Sequence, residues 1–445
     1  MAETIDLSGW FFATENYNDD LQADIMLLRV ATSYFSTSRH EEILSVYEGT
    51  HSQFYLIREE SRRVSEELIR RFMTDASWRR ELLPSILEAS EQLEAVYGDD
   101  DLPVEALSTE DLLALYNRQN QAREDLLLAS WRIEEMHSSV NSIEDRLLAL
   151  VGGDKQVYAD LLWTPVLSAF SEEKKRLQEG DDPVKLWQKY RYSGYHGYTN
   201  PHVKTLEEYQ AEASGKEWQA DPEAERRYRE AASHFPEETL DIFRCYANLG
   251  VAKSYRRLAE LKNFYYLERM IREMSGRFQV PETAIRFMLP EEIPALATTG
   301  AYDPERAVAM VYYGKSGKET IYTGEACRQI MDRLPQEQEP TTITGMIACR
   351  GVAVGRAVVV RKNGEADGFR PGDILVSNEP NPEMFEIMRT ASAVVTDQGG
   401  ITCHAASIAR ELGIPCVTGT QNATKLIHTG DMIVVDANIG EVTIK

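Results

Sequence analysis

The sequence predicts a mainly α-helical N-terminal domain followed by a small α/β domain. Apolar residues recur at helical spacing through most of the first 300 residues, whereas strand-length apolar runs alternate with short helical segments after residue 343. Between the two, residues 336–342 have the polar composition of a linker, flanked and interrupted by proline. The expected organisation is a helical domain over 1–335, a linker over 336–342 and a second domain over 343–445.

The N-terminal domain contains three clear helix candidates and one pair of strands. Residues 59–72 and 126–151 place their apolar side chains on one face, as amphipathic helices do, and residues 243–278 form a longer candidate. Residues 306–323 predict two strands around a Gly-Lys-Ser-Gly-Lys turn. This turn lacks the spacing of a nucleotide phosphate loop, because Tyr312 stands where the first glycine is needed.

Composition and charge exclude several classes of protein. The chain has 445 residues, of which 43% are hydrophobic and 27% charged, as in proteins with two or three soluble domains. Of the net charge of −24, −22 lies in residues 1–345, which argues against nucleic acid or an anionic membrane as partner. The start of the chain is acidic, a long apolar run is lacking, and the five cysteines are scattered. These features predict a cytoplasmic protein with reduced thiols and no metal site.

The C-terminal domain is predicted from short, regularly placed elements. The helix candidates are residues 382–390 and 404–412. The strand candidates are residues 355–360, 373–376, 393–396, 432–435 and 441–444. A compact α/β domain of about 100 residues follows from this order.

A histidine stands at the predicted start of one of these helices, directly after a glycine pair. An unprotonated imidazole is a nucleophile near neutral pH, and a helix N-terminus supplies N–H groups and a positive dipole end for a phosphoryl group. Glycine lets the backbone approach closely, and a threonine between the two is expected to cap the helix and to bond to the phosphate or the ring. The residues predicted to carry a phosphohistidine are Gly399, Gly400, Thr402 and His404.

The segment from Thr396 to Gly419 resembles the phosphohistidine, or swivelling, domain of the phosphoenolpyruvate-utilising enzyme superfamily. The shared pattern is Gly-Gly, any residue, Thr, any residue, His, two small residues, aliphatic residues, Arg and then Leu-Gly-Ile-Pro. The sequence departs from this pattern at Cys403, where serine is common, and at Ser407, where an aliphatic residue is usual. The resemblance implies a β/β/α swivelling fold that carries phosphate on His404 between two remote sites.

The order of the domains is similar to that of the rifampicin phosphotransferases and related phosphoenolpyruvate-synthase-like proteins. In these proteins a helical substrate domain precedes the phosphohistidine domain, and residues 187–197, 257–269 and 287–293 are loosely similar to parts of it. Cations would offset the charge on an incoming phosphoryl group. The resulting candidates are Arg191, His196, Lys262 and Arg269. For Lys262 and Arg269, a solvated helix charge is the alternative interpretation.

The resemblance also implies what the chain needs from outside. No ATP-grasp pattern is recognised, so the nucleotide site is expected on a separate ATP-grasp protein, which would hold most of the contacts to Mg²⁺ and ATP. The predicted function is a dikinase-like phosphotransferase component that passes a phosphoryl group from this partner, through His404, to a small-molecule acceptor in the helical domain. Two alternatives stay open: a phosphoenolpyruvate-dependent phosphohistidine relay, and a non-catalytic binding module of the same fold.

Overall fold

The structure is a computed structural model. The chain divides into two compact units, Met1–Gln336 and Glu337–Lys445. The predicted linker, 336–342, lies outside the described residues. The residues that the structure describes are 5–17, 21–33, 39–98, 101–138, 141–195, 202–213, 222–335, 343–360, 368–378, 384–400 and 403–445.

The first unit is mainly helical, as predicted. Its described helices are α1 (Leu21–Ser33), α2 (Arg58–Thr74), α3 (Ala76–Ala95), α4 (Thr109–Glu135), α5 (Ile143–Leu150), α6 (Lys155–Leu161), α7 (Ala169–Gln178), α8 (Pro183–Tyr190), α9 (Leu206–Ala213), α10 (Pro222–Ala232), α11 (Glu237–Phe278), α12 (Glu282–Arg286), α13 (Ile293–Thr299) and α14 (Gly324–Met331). The predictions for 59–72 and 243–278 are confirmed by α2 and α11. The predicted helix at 126–151 is interrupted after α4 by a two-stranded turn, β4 (His137–Ser138) and β5 (Asn141–Ser142), before α5 begins.

Helix α11 organises the helical core of the first unit. It is 42 residues long, which corresponds to about 63 Å at 1.5 Å per residue. Its buried face packs on α3 and α4. The shared core includes Leu112, Leu115, Leu261, Met270 and Met274. This helix carries two of the predicted substrate residues, Lys262 and Arg269.

The first unit also contains a five-stranded antiparallel sheet, of which the sequence predicted only the last two strands. Its order is β1 (Trp10–Tyr17), β3 (His51–Ile57), β2 (Glu42–Glu48), β6 (Ala309–Lys315) and β7 (Lys318–Tyr322). Strand β2 buries Ile43 and Tyr47 on one face and Leu44 and Val46 on the other. Because both faces are covered, the alternation that reveals a half-exposed strand is missing from this segment.

The second unit is built on an eight-stranded mixed sheet. Strands β10 to β13 run parallel in chain order, and the flanking pairs are antiparallel. The order across the sheet is β8 (Ile343–Thr344), β15 (Glu441–Ile444), β14 (Met432–Asp436), β10 (Val352–Val360), β11 (Ile374–Ser377), β12 (Ala393–Thr396), β13 (Cys416–Thr418) and β9 (Met346–Cys349). The predicted strands and their order along the chain are confirmed, while the β/β/α arrangement implied by the resemblance stays a prediction.

Three short helices cover the sheet of the second unit: α15 (Phe385–Met388), α16 (His404–Leu412) and α17 (Ala423–Leu426). Alternate strand residues point to two separate cores, one shared with α15 and α16 and one shared with α17. In β12, for example, Val394 faces the first core and Val395 the second. In the described part of the chain, no helix combines the length and the apolar character needed to cross a bilayer.

Candidate functional site

The glycine–histidine motif lies at the carboxyl ends of the parallel strands. Strand β12 ends at Thr396, the glycine pair follows, and α16 begins at His404. Strands β11 and β13 end beside it, at Ser377 and Thr418. This edge of an open α/β sheet is where ligands usually bind, because loops and helix N-termini converge there.

The start of α16 is capped by Cys403 rather than by Thr402, which was the predicted cap. Because His404 is the first helical residue, the capping position falls on Cys403, whose Sγ accepts a hydrogen bond from the N–H of Ala406 at 3.4 Å. The first turn closes when the N–H of Ser407 donates to the carbonyl of Cys403 at 3.0 Å. Thr402 itself lies outside the described residues.

The first turn of α16 therefore leaves two N–H groups, those of His404 and Ala405, that neither the cap nor the helix satisfies. Together with the positive end of the helix dipole, such groups favour a negatively charged ligand. The predicted helix start at His404 is confirmed for the backbone, and its side chain lies outside the described part of the structure.

Small side chains seat α16 tightly on the sheet. Ala405, Ala406 and Ala409 are almost completely buried, and α16 packs against β9, β12 and β13. At the far end, the guanidinium of Arg410 donates to the carbonyl of Ala348 in β9 at 3.3 Å. These contacts hold the helix axis against the sheet, so the position of its first residue is set by the core beneath it.

Gly399 is required by its surroundings. Its φ is +99°, and a Cβ at this position would lie 2.7 Å from the Sγ and 2.8 Å from the Cβ of Cys403. Gly400 has a different role in the described backbone, because its carbonyl accepts a hydrogen bond from the N–H of Cys403 at 3.1 Å. The chain thus turns sharply at the glycine pair, and the capping residue, Cys403, stands at the start of α16.

Asp397 anchors the loop before the glycines, and the sequence analysis did not single it out. Its carboxylate accepts hydrogen bonds from the hydroxyl of Thr420 at 2.9 Å, the N–H of Thr424 at 3.2 Å and the hydroxyl of Thr424. Burial raises the pKa of this carboxyl group, which is 6% exposed. An aspartate directly after a buried strand is the signal that could have revealed it.

The same loop is bonded to both neighbouring strand ends through its backbone. The N–H of Asp397 donates to the carbonyl of Ser377 at 3.0 Å, and the N–H of Gln398 donates to that of Asn378 at 2.9 Å. On the other side, the N–H of Gln421 donates to the carbonyl of Asp397 at 3.0 Å. The approach to the glycine pair is therefore held from two sides, which suits a site that must present its reactive residue in one geometry.

Two of the predicted substrate residues, Arg191 and Arg269, meet at one carboxylate in the first unit. A guanidinium nitrogen of Arg269 lies 3.2 Å from Oδ1 of Asp101, and Nη2 of Arg191 lies 3.7 Å from the same oxygen. Arg269 also bonds in bidentate fashion to Glu105, at 3.0 and 2.7 Å. Their role in meeting an incoming phosphoryl group stays a prediction, and in this structure both charges have acidic neighbours.

The described contacts of Lys262 lie at a different place. The ammonium of Lys262 donates to the carbonyls of Glu94 and Gly98, at 3.1 and 2.7 Å, at the end of α3. A cation at a helix C-terminus stabilises unpaired carbonyl groups, so these contacts are those of a structural residue. His196 lies outside the described residues.

A metal centre was not predicted within this chain. Among the described residues, no group of three or more His, Cys, Asp or Glu side chains has a geometry that could hold a metal ion.

Comparison with known proteins identifies the second unit. Residues 369–440 match the family model of the mobile domain of PEP-utilising enzymes, which confirms the resemblance seen in the sequence. Over 140 residues the chain is 46% identical to a phosphoenolpyruvate synthase of Pyrococcus furiosus, a stretch that covers 32% of this chain and 17% of that protein. Over 145 residues it is 37% identical to the uncharacterized phosphotransferase YvkC of Bacillus subtilis, again covering 32% of this chain and 17% of the relative.

These matches are partial in length. The chain spans less than a fifth of either curated relative in the matched stretch. Among solved structures, Thermococcus kodakaraensis aconitase X in its holo-form is 22% identical over 24% of this chain and 99% of its own, with a TM-score of 0.20. A TM-score this low carries no argument about fold or function.

Proposed function

We propose that this chain is a phosphotransferase component that carries a phosphoryl group on His404. The premise is a C-terminal unit that belongs to the mobile-domain family of PEP-utilising enzymes. The observation that supports the proposal most directly is the helix start at His404, where two N–H groups and the dipole of α16 meet a loop that Gly399 and Asp397 hold in place. These features stabilise negative charge beside the first residue of the helix.

In the first half-reaction, a ring nitrogen of His404 attacks the phosphorus of the donor. A P–N bond forms as the P–O bond to the donor breaks, and the donor oxygen leaves with the bonding electron pair. In the second half-reaction, an acceptor oxygen attacks the same phosphorus and the P–N bond breaks. The acceptor loses its proton, and the imidazole returns to its starting state. The backbone N–H groups of the first turn of α16 offset the charge on the transferred group in both steps.

The donor proposed for the first half-reaction is ATP bound to a separate ATP-grasp protein. Mg²⁺ would be held with the nucleotide, mainly by that partner, and would supply charge neutralisation on the phosphate oxygens. The acceptor is proposed to be a small molecule bound by the helical unit. The phosphohistidine motif, and the lack of a recognised ATP-grasp pattern within these 445 residues, support this part of the proposal.

Labelling with radioactive phosphate tests the proposal. The protein is incubated with labelled ATP and a stand-alone ATP-grasp protein, and the label should be stable to alkali and labile to acid, as a phosphohistidine is. His404→Ala should abolish the label. His428→Ala, which removes an exposed histidine from the same unit, is the matched control and should leave the label unchanged.

The outcome also separates the alternatives. A label that appears with phosphoenolpyruvate and a barrel-containing partner, but not with ATP, would favour a phosphoenolpyruvate-dependent relay. Failure of every donor, together with tight binding of a small molecule by the helical unit, would favour a non-catalytic binding module. Retention of the acid-labile label in His404→Ala would refute the assignment of the carrier residue.

A further inference from the structure

One carboxylate oxygen in the first unit is surrounded by cationic and hydroxyl donors. Oδ1 of Asp101 lies 3.2 Å from Nη1 of Arg269, 3.3 Å from the hydroxyl of Tyr266 and 3.7 Å from Nη2 of Arg191. Two guanidinium groups and a phenol are the donors that proteins use for the oxygens of phosphoryl groups. The arrangement therefore has the chemistry of an oxyanion site in which a carboxylate of the protein takes the place of the ligand.

Both arginines are held in position by aromatic rings. Arg191 is 9% exposed, its guanidinium lies 5.0 Å from the ring centre of Trp187 and 4.9 Å from that of Tyr192, and Nη2 donates to the hydroxyl of Tyr192 at 2.7 Å. Arg269 lies in the same way over Tyr265, at 5.4 Å. Such stacking fixes the planar guanidinium before a ligand arrives, so less entropy is lost on binding.

In the described structure, Arg191 also has one N–H donor that makes no hydrogen bond. Its Nε is buried and has no hydrogen-bond partner in the described structure. A buried N–H of a charged group that lacks a partner costs free energy, which a ligand oxygen can recover. This donor is a second observation, independent of the Asp101 contacts, that Arg191 has hydrogen-bonding capacity left for an acceptor.

Asp101 is the least constrained member of the cluster. Its side chain is 57% exposed, compared with 11% for Arg191 and 15% for Arg269, and it stands in a non-helical stretch between α3 and α4. An ion pair with such an exposed partner is worth no more than about 1 kcal/mol. A soluble anion can therefore compete with this carboxylate, while the two arginines stay where they are.

We propose that Arg191, Arg269 and Tyr266 form a binding site for a phosphoryl oxyanion, and that the carboxylate of Asp101 occupies this site until such an anion displaces it. The identity of the anion rests on the proposed function: the anion is the phosphoryl group that passes to the acceptor in the helical unit. Displacing Asp101 leaves the bidentate pair of Arg269 with Glu105 in place.

Titration with inorganic phosphate tests this site without any transfer reaction. Binding is followed by ³¹P NMR line broadening and by the rise in the melting temperature, at constant ionic strength set with potassium chloride. Asp101→Asn should bind phosphate about fivefold more tightly than the natural protein, the factor that corresponds to about 1 kcal/mol. Adding Arg269→Gln to this variant should remove the gain, and Arg191→Lys should reduce it.

A matched control separates the site from general electrostatics. Asp181→Asn removes the same charge from another partly exposed arginine pair in the same unit, that of Arg176 with Asp181 at 2.6 Å. If Asp101→Asn binds phosphate no more tightly than Asp181→Asn, or if the gain survives Arg269→Gln, the proposal is overturned. A lower melting temperature in Asp101→Asn with no response to phosphate would identify Asp101 as a structural anchor and would equally overturn it.

The titration and the labelling of His404 can fail independently. Phosphate binding that follows the pattern above, in a protein that no donor phosphorylates, would support the oxyanion site and refute the proposed transfer. Labelling of His404 in a protein whose Asp101→Asn variant shows no gain would refute the oxyanion site alone.

Discussion

Replacing Gly399 with alanine should damage the loop before His404 in two ways. The new Cβ would lie 2.7 Å from Sγ of Cys403, about 1 Å closer than an ordinary contact, so the capping residue must move. At φ +99° an L-residue is strained by about 1–2 kcal/mol, and loss of the cap adds about 0.5–2 kcal/mol. We expect the free energy of unfolding of the second unit to fall by about 2–4 kcal/mol.

The same substitution should slow the phosphorylation of His404, because a shift of about 1 Å in a reacting group can cost a hundredfold in rate. The matched control is Gly430→Ala, since Gly430 has a similar φ of +110° but no atom within 4 Å of a Cβ. It carries the backbone strain without the collision. Urea unfolding and the initial rate of labelling measure the two effects. Equal values of both for Gly399→Ala and Gly430→Ala would refute the argument that Cys403 is the point of contact.

Three further predictions concern polar groups that are buried or partly buried. Asp397→Ala should lower the unfolding free energy by about 1–3 kcal/mol and slow His404 labelling, because Thr424 loses its acceptor; normal labelling would contradict an anchoring role. Asp241→Asn should cost about 3–5 kcal/mol in urea unfolding by leaving the buried Arg79 without its carboxylate, and a cost below 1 kcal/mol would contradict this. Burial lowers the pKa of His137 from 6.5 to about 4, so stability should fall as the pH drops from 6.5 to 4, by up to about 3 kcal/mol; His137→Gln should flatten this dependence when melting is followed against pH.

Much of the fold could be predicted from local patterns. Helices α2 and α11 show one apolar face at a period of 3.6, and strands β6 and β7 flank a two-residue turn in which Ser316 and Gly317 both have positive φ. The strands of the second unit were recognised because they are short and separated by turn residues. Strands β1 to β3 escaped notice because their sheet is buried on both faces, so apolar residues do not alternate along them.

The candidate site was predictable where its chemistry lies in consecutive residues. Gly399, Gly400 and His404 form one motif, and the helix begins where the motif indicated. The cap was assigned to Thr402 because threonine is the better capping residue by type, whereas the helix start places Cys403 at that position. Asp397 was missed because its partners, Thr420 and Thr424, are more than twenty residues away, in the segment that follows β13.

Residue type and local spacing were sufficient to predict a mainly helical first unit, an α/β second unit and a helix that begins at His404. Tertiary structure alone decided that Arg191 and Arg269, 78 positions apart, share the carboxylate of Asp101, and that strands near residues 45 and 312 lie side by side. The physical reason is that periodicity and capping act over a few residues, whereas charge pairing and strand pairing depend on which distant segments the packed core brings together.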